Sequence, residues 1–327
     1  MPQPSRLLAS LAQRYLGKPD LAEFLAIRFP DAASWLAGAR NEAAFRLGLH
    51  GLPKLTTLNV ELTSRCNVAC SYCTVNRGLQ RAERDLDIGL LERLLDETPT
   101  LQTLLPFQWG EPLLYEPLDE ALRMASARGL RSYLTTNGTL LDAPRMRALS
   151  QAGLTRLTVS LDGDETLHAE RRGYPQAPIL ERLAEARAVQ QREQLATRLD
   201  VSMVVDADVA HAVETTRARL APLCDRVQFI PRMTPSDTPR TQACREPSRG
   251  LLVVLSDGRI TTCCADVEGE LALGHVNDGT LPEQYAGRAF RELRAAHHRL
   301  TRSATSLPEV CARCGECSVP GVSARFA

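Results

Sequence analysis

Ten of the 327 residues are cysteine: Cys66, Cys70, Cys73, Cys224, Cys244, Cys263, Cys264, Cys311, Cys314 and Cys317. Eight of the ten fall in tight groups, at 66/70/73, 263/264 and 311/314/317. Disulfide scaffolds belong to small exported domains, and no export signal opens this chain. Grouped thiols in such a chain point to metal or iron–sulfur ligation. The first group is Cys66-Asn-Val-Ala-Cys70-Ser-Tyr-Cys73, a C-x3-C-x2-C triplet. Structural zinc wants four closed ligands, so three thiolates suit it poorly. Three do suit a [4Fe–4S] cluster with one iron left open for an outside ligand. Wrapping three thiolates around one cube needs a loop, not a helix.

That loop must hang from a scaffold. Between residues 55 and 235, short apolar runs alternate with longer helical stretches. The pattern predicts strands at Thr57–Leu62, Thr103–Trp109, Arg131–Thr136, Arg156–Leu161, Arg198–Val205 and Arg226–Pro231. It predicts helices at Asp87–Glu97, Leu118–Arg128, Ala143–Ala152, Pro178–Arg192 and Val209–Leu220. Such alternation means parallel βα units in an α/β fold. Six strands are too few for a closed eight-stranded barrel. An open six-unit partial barrel is expected, with its reactive groups at the carboxyl ends of the strands. The cysteine triplet follows the first strand.

Two further segments flank this unit. Residues 1–54 show helical spacing at Arg6–Leu16, Leu21–Arg28 and Ala32–Leu47, and should cover part of the main domain. Pro235, Pro239 and Pro247 mark a second boundary, so residues 236–327 form a third segment. It holds a hairpin, Leu251–Ser256 and Arg259–Cys264, around the turn Asp257-Gly258. A helix at Pro282–Arg299 and a cysteine-rich tail follow.

The triplet and its surroundings resemble the radical S-adenosylmethionine (radical SAM) superfamily. Tyr72 is the aromatic before the third cysteine, placed in the family near the SAM adenine. Trp109-Gly110-Glu111-Pro112, ending the second strand, resembles the "GGEP" element, with Trp in place of the first Gly. Thr136-Asn137-Gly138 is similar to "TNG", Ser160-Leu161-Asp162-Gly163 to "SxDG", and Arg172-Gly173 to "RG". Singly, Asn137-Gly138 is a turn, Ser160 a strand-end hydroxyl and Glu111 a surface charge. Their order at successive strand ends makes coincidence a poor account. The resemblance implies that Cys66, Cys70 and Cys73 hold the SAM-binding [4Fe–4S] cluster. It implies SAM contacts from Tyr72, Gly110, Glu111, Asn137, Ser160 and Arg172. Glu111 would take the SAM amino group and Arg172 the carboxylate. Reductive cleavage of SAM would then give a 5′-deoxyadenosyl radical, which removes a hydrogen from the substrate.

The later cysteines resemble the SPASM/twitch extension of the same enzymes, which carries auxiliary [4Fe–4S] clusters. Six cysteines lie near the tail where a full two-cluster domain uses about seven, so one auxiliary cluster is expected. Its ligands would be Cys244, Cys263, Cys311 and Cys314, with Cys317 an alternative in the tail. The Gly258-x4-Cys263 spacing selects Cys263 over Cys264. Cys224 reads as a buried small hydrophobe. Cys264 is a packing residue or, as in some epimerising relatives, a hydrogen-atom donor.

Two reactions are open at this level. If, after hydrogen abstraction, an auxiliary cluster accepts the electron and a base takes the proton, an alcohol carbon becomes a ketone. A thiol such as Cys264, returning a hydrogen to the opposite face, makes an epimerase. Peptide-modifying maturases usually add a winged-helix leader-binding domain, which residues 1–54 do not resemble. A small sugar or aminocyclitol substrate and dehydrogenation are therefore expected first. Tyr133, Asp225, Gln228 and Arg232 are the polar groups expected at the barrel mouth, with Arg232 for substrate contact or proton transfer. A flavodoxin or ferredoxin is expected as electron donor.

Charge and hydropathy exclude other classes. Lys+Arg and Asp+Glu are 39 each, so the chain has no basic footprint for nucleic acid. No apolar run reaches the ~20 residues of a membrane span. A cytoplasmic enzyme acting on a small molecule is the expectation.

Overall fold

A computed structural model of the chain describes residues 32–73, 75, 80–232, 243–263, 266–300 and 307–314. Helix α1 (Ala32–Arg46) leads into strand β1 (Thr57–Val60). Three βα repeats follow: α2 (Ile88–Asp96) and β2 (Thr103–Leu105), α3 (Leu118–Ala127) and β3 (Arg131–Thr136), α4 (Ala143–Gln151) and β4 (Arg156–Ser160). Helices α5 (Glu165–Arg172) and α6 (Ala177–Arg192) precede β5 (Arg198–Val205), and α7 (Val213–Leu220) precedes β6 (Arg226–Pro231). The remainder is β7 (Leu251–Val254), β8 (Arg259–Thr261), β9 (Gly274–His275), α8 (Leu281–Ala286), α9 (Arg288–Leu300) and α10 (Glu309–Ala312). No helix among the described residues is long and apolar enough to cross a membrane.

Strands β1 to β6 pair in parallel and in chain order, as the periodicity predicts. Parallel crossovers are right-handed, so sequential order puts every crossover helix on one face of the sheet. Leu58, Val60, Leu104, Leu134, Leu157, Leu199 and Val201 point to that face and are fully buried. They join Leu91 and Leu94 of α2, Leu118 and Leu122 of α3, Met146 and Leu149 of α4, and Leu183 of α6 in one core. Each fully buried leucine contributes about 1.5–3 kcal/mol. The helices have caps that the sequence spells out: Asp87, Asp142 and Asp164 each accept a backbone N–H of the first turn.

The alternate residues line the opposite, inner face. Register sets them in rows: Tyr133, Arg156 and Arg198; then Thr135, Thr158, Asp200 and Arg226; then Ser160, Ser202 and Gln228. These rows of the inner face are polar and the next, Val204 beside Ile230, is apolar; the outer face of β3 to β6 is apolar apart from Ser132 and Thr136 of β3.

Several expected boundaries shift for identifiable reasons. Strand β2 stops at Leu105, not Trp109, because Pro106 has no N–H for the ladder. Strand β1 stops at Val60, and Glu61 turns into an ion pair described below. The expected helix at Pro282–Arg299 is two helices, broken where Gly287 is extended (φ −70°, ψ −179°). Helix α5 was not expected; Asp164 caps its start, and Gly173 closes it in the left-handed region (φ 65°).

The largest difference concerns the third segment. The hairpin β7–β8 forms as expected, with Gly258 at φ 88° in its turn. Strand β7, however, also pairs in parallel with β1, residue for residue from Thr57↔Leu251 to Val60↔Val254. The barrel sheet thus runs on through β7, β8 and β9. The segments expected at Arg6–Leu16 and Leu21–Arg28, and Pro235, Pro239, Cys264 and Cys317, lie outside the described residues.

Candidate cofactor site at the carboxyl ends of the strands

The chain leaves β1 and runs as a loop through Cys66, Cys70 and Cys73. Its return lies back alongside the outgoing path: Ser64 N–H donates to the Arg84 carbonyl (3.0 Å) and Leu86 N–H to the Leu62 carbonyl (2.8 Å). The next elements pin the loop from outside. Glu111 N–H donates to the Arg65 carbonyl (2.8 Å), and Ser71 N–H to the Arg171 carbonyl (2.8 Å) at the end of α5. Gly173 packs there too; a Cβ on it would stand 3.1 Å from the Ala69 carbonyl oxygen.

Gly110 is where the loop and the β2 end meet. A Cβ there would lie 2.1 Å from the Thr63 carbonyl oxygen and 2.7 Å from that of Arg65. Both obstacles are backbone, so neither can rotate away. Gly110→Ala is therefore expected to push the two loops apart, lowering SAM affinity at least tenfold by titration and cutting thermal stability. Unchanged affinity would show that the close approach does not matter.

Glu111 is buried and joins three segments. Its carboxylate accepts from Leu113 N–H (3.0 Å), Thr136 hydroxyl (2.7 Å) and Asn137 N–H (2.7 Å). Burial pushes its pKa up, against these three hydrogen bonds. A carboxylate has about four lone-pair sites, so one acceptor position is left for an incoming ammonium. Asn137 sits beside the loop: its Nδ2 donates to Asn67 Oδ1 (2.8 Å) and lies 4.0 Å from Cys66 Sγ. Its Oδ1 accepts from Thr139 N–H (2.9 Å) and hydroxyl (2.7 Å). Ser160 ends β4 on the inner face, its hydroxyl unpartnered among the described residues.

Tyr72 and Arg172 share a partner. Both donate to Asp162 Oδ2, the tyrosine hydroxyl at 2.9 Å and Arg172 Nε at 2.8 Å. The other oxygen, Asp162 Oδ1, accepts Val204 N–H (3.1 Å). Buried His168 accepts the Asp162 N–H on Nδ1 (3.2 Å), and burial holds its pKa down to about 4, so the ring is neutral. Asp162 was visible in the sequence only as part of a motif; its bridging role and those of Asn67, Thr139 and His168 carry no spacing signal.

The donor set fits an iron–sulfur cluster. Cys66, Cys70 and Cys73 form no disulfide, and each lies within electrostatic reach of another. Burial pushes the Cys70 thiol up to about 11, against the pull of Arg172. Among the described residues no three ligands converge on one metal-ion position. A cubane does not require that, because each thiolate takes a different iron.

The later cysteines gather in the third segment. Cys311 is buried in a small apolar cluster with Leu271 and Leu293, and Cys263 packs against it. Cys314 N–H donates to the Cys311 carbonyl (3.3 Å). Cys244 N–H donates to His297 Nδ1 (3.2 Å) on α9, the helix that carries Leu293. Cys224 is buried at the far end of the fold, its thiol donating to the Leu220 carbonyl (3.3 Å), in keeping with a packing role.

Not every expected substrate group is at the mouth. Asp225 precedes β6, at the opposite rim, and accepts from Leu199 N–H (2.8 Å), Gln190 (2.7 Å) and Arg187 (2.5 Å). Strand direction excludes it from the site. Tyr133 sits low on the inner face under Arg156, and Gln228 donates to Asp200 (2.9 Å) higher up. Arg232 follows β6 at the correct end, 3.5 Å from Asp206. A guanidinium stays protonated, so Arg232 can contact substrate but not accept its proton.

Residues 60–215 match the family model for the Radical SAM superfamily, and residues 244–315 that for the SPASM iron–sulfur cluster-binding domain. The PqqA peptide cyclase of Ruegeria pomeroyi is 27% identical over 314 residues, 82% of each chain. The AdoMet-dependent heme synthase of Oleidesulfovibrio alaskensis is 32% identical over 129 residues, 39% of this chain and only 33% of that protein. Among solved structures, BtrN in complex with AdoMet and 2-DOIA superposes with TM-score 0.55 at 18% identity, over 81% of this chain and 94% of that one. The AdoMet-bound anSMEcpe gives TM-score 0.58 at 18% identity, over 72% and 82%.

Proposed function

Because the chain belongs to the radical SAM superfamily and ends in a SPASM-type domain, we propose that it oxidises a small polyhydroxylated substrate, an alcohol carbon becoming a ketone. Its cofactors are SAM, a SAM-binding [4Fe–4S] cluster and auxiliary iron–sulfur. When bound, these groups supply a hydrogen-abstracting 5′-deoxyadenosyl radical and an acceptor for the electron released.

The protein's own contribution is to hold and orient. Cys66, Cys70 and Cys73 are the ligands proposed for the first cluster; Cys244, Cys263, Cys311 and Cys314 are those for a single auxiliary one. Glu111 offers its remaining acceptor position to the SAM ammonium, and Tyr72, Gly110, Asn137, Ser160 and Arg172 line the same end. The substrate reading rests on the inner face of β3 to β6. Thr135, Thr158, Ser160, Ser202 and Gln228 present hydroxyls and an amide there, most of them half-buried. Such groups both donate and accept, which matches the hydroxyls of a sugar or cyclitol. Toward the carboxyl end the same face also presents Val204 and the exposed Ile230, which give the carbon skeleton of such a substrate an apolar contact.

A peptide substrate is the second reading, supported by the likeness to PqqA peptide cyclase along 82% of both chains. Epimerisation through Cys264 is the third, supported by its place next to Cys263 in the sequence. Anaerobic reconstitution with SAM and a reductant, flavodoxin or dithionite, tests the common chemistry. Methionine and 5′-deoxyadenosine should form together; their absence overturns the enzyme reading. Turnover of a polyol panel in D2O separates the rest. A ketone that persists in Cys264→Ala supports dehydrogenation. Deuterium at an inverted carbon, lost in that variant, supports the epimerase.

A further inference from the structure

The barrel mouth carries charge that the cofactor-holding residues do not absorb. The guanidiniums of Arg171, Arg172 and Arg232 lie 5.0, 5.7 and 5.9 Å from the centre of the Tyr72 ring. Among the described residues, two carboxylates face these three cations. Asp162 is occupied by Tyr72, Arg172 and the Val204 amide, and its Oδ2 is 4.0 Å from Arg171 Nε. Asp206, just past β5, is held loosely: its Oδ2 is 3.4 Å from Arg171 Nη2 and 3.5 Å from Arg232 Nη1. Among the described residues its Oδ1 is buried without a partner. The Arg171 side chain is 10% exposed, yet its Nη1 has no partner among the described residues either. A buried donor left without an acceptor destabilises the site until one arrives. The Arg232 side chain, at 32% exposed, opens the group to solvent.

We propose that Arg171 and Arg232 form an anion subsite that takes a carboxylate or phosphate group of the substrate. Their planar forks suit paired oxygens. An anion between them satisfies Arg171 Nη1 and balances the third cation. Asp206 holds the two forks together before the ligand arrives. Arg172 takes no part, since its Nε is committed to Asp162. That the anion belongs to a substrate rests on the function proposed above; that the site binds an anion does not. SAM also bears a carboxylate, and the test separates the two sources.

The probe is inorganic phosphate, titrated calorimetrically at low ionic strength into the reconstituted holoprotein, with and without saturating SAM. One phosphate per chain should bind, equally well with SAM present. Arg171→Gln and Arg232→Gln should each weaken it about tenfold, the loss of one charge-assisted pair. Asp206→Asn, which removes a repelling charge, should tighten it severalfold. SAM affinity should stay within about twofold throughout. Absence of phosphate binding, or binding indifferent to both arginines, overturns the subsite. Phosphate displaced by SAM, or SAM weakened alongside phosphate, assigns the arginines to the cofactor carboxylate and overturns the substrate role. Arg232 is partly exposed, so its variant keeps the test decisive if Arg171→Gln fails to fold. No outcome depends on turnover, so loss of 5′-deoxyadenosine formation would count against the proposed function alone.

Discussion

Cys70→Ala should leave the reconstituted protein with about half its iron, roughly four atoms per chain instead of about eight, and no detectable conversion of SAM to 5′-deoxyadenosine. Cys70 is the most buried of the three thiols in the first loop. Its removal would deprive the cluster of one of the three protein ligands proposed for it. The fold should survive, because a buried cysteine packs as a small hydrophobe and alanine replaces most of that volume. Cys224→Ala is the matched control: also buried, with its thiol on the Leu220 carbonyl, it should retain all the iron. Full iron and SAM cleavage in Cys70→Ala would remove the first cluster from this loop. Cys314→Ala and Cys317→Ala, counted the same way, decide which tail cysteine ligates: the ligand's loss should take the auxiliary iron with it.

Arg81→Met should lower the melting temperature by roughly 10 °C, from a loss of about 3–5 kcal/mol for breaking a buried ion pair at about 2–4 °C per kcal/mol in a chain this size. Arg81 and Glu61 face each other with side chains 6% and 0% exposed. The guanidinium makes a two-pronged contact with the carboxylate, including Nη1 to Oε2 at 2.7 Å, and donates to Ser256 Oγ (3.2 Å) and the Val267 carbonyl (2.8 Å). Glu61 also accepts Ser256 N–H (2.9 Å) and hydroxyl (2.7 Å). Glu268 accepts the backbone N–H groups of Gln80 and Arg81. The pair therefore joins the end of β1, the return of the first cysteine loop and the turns on either side of Cys263. Removing one partner strands the other charge in the interior. Removing both, in Glu61→Gln with Arg81→Met, should cost clearly less than the two single losses summed. Faster amide exchange in residues 256–268 should accompany Arg81→Met. Wild-type melting and exchange would show that the pair does not join the two parts.

The site was legible where chemistry requires a residue type at a fixed spacing. Three thiols in eight residues announce a cluster loop, and Gly110, Glu111, Asn137 and Ser160 follow at strand ends in chain order. The apolar alternation of β1 to β6 was legible for the same kind of reason: one face must be buried under helices, and the period shows which. Asp225 misled because a polar residue near a strand says nothing about which end of the strand is the mouth. Helix α5 was missed although Asp164 and Gly173 bracket it, since its few buried residues, His168, Arg171 and Arg172, make no apolar stripe.

The sequence by itself determined the candidate cofactor loop, the six parallel units and the presence of a second cysteine group, because cysteine spacing and burial are written locally. Only the tertiary structure decided that β7 completes the barrel sheet at β1, that Glu61 and Arg81 tie the two cysteine groups together, and that Arg171, Asp206 and Arg232 converge on Tyr72. Those contacts join residues between 20 and about 200 positions apart. A charge seen in sequence carries no record of its partner. Only the fold, by bringing strand ends together, selects which arginines are neutralised and which are left for a ligand.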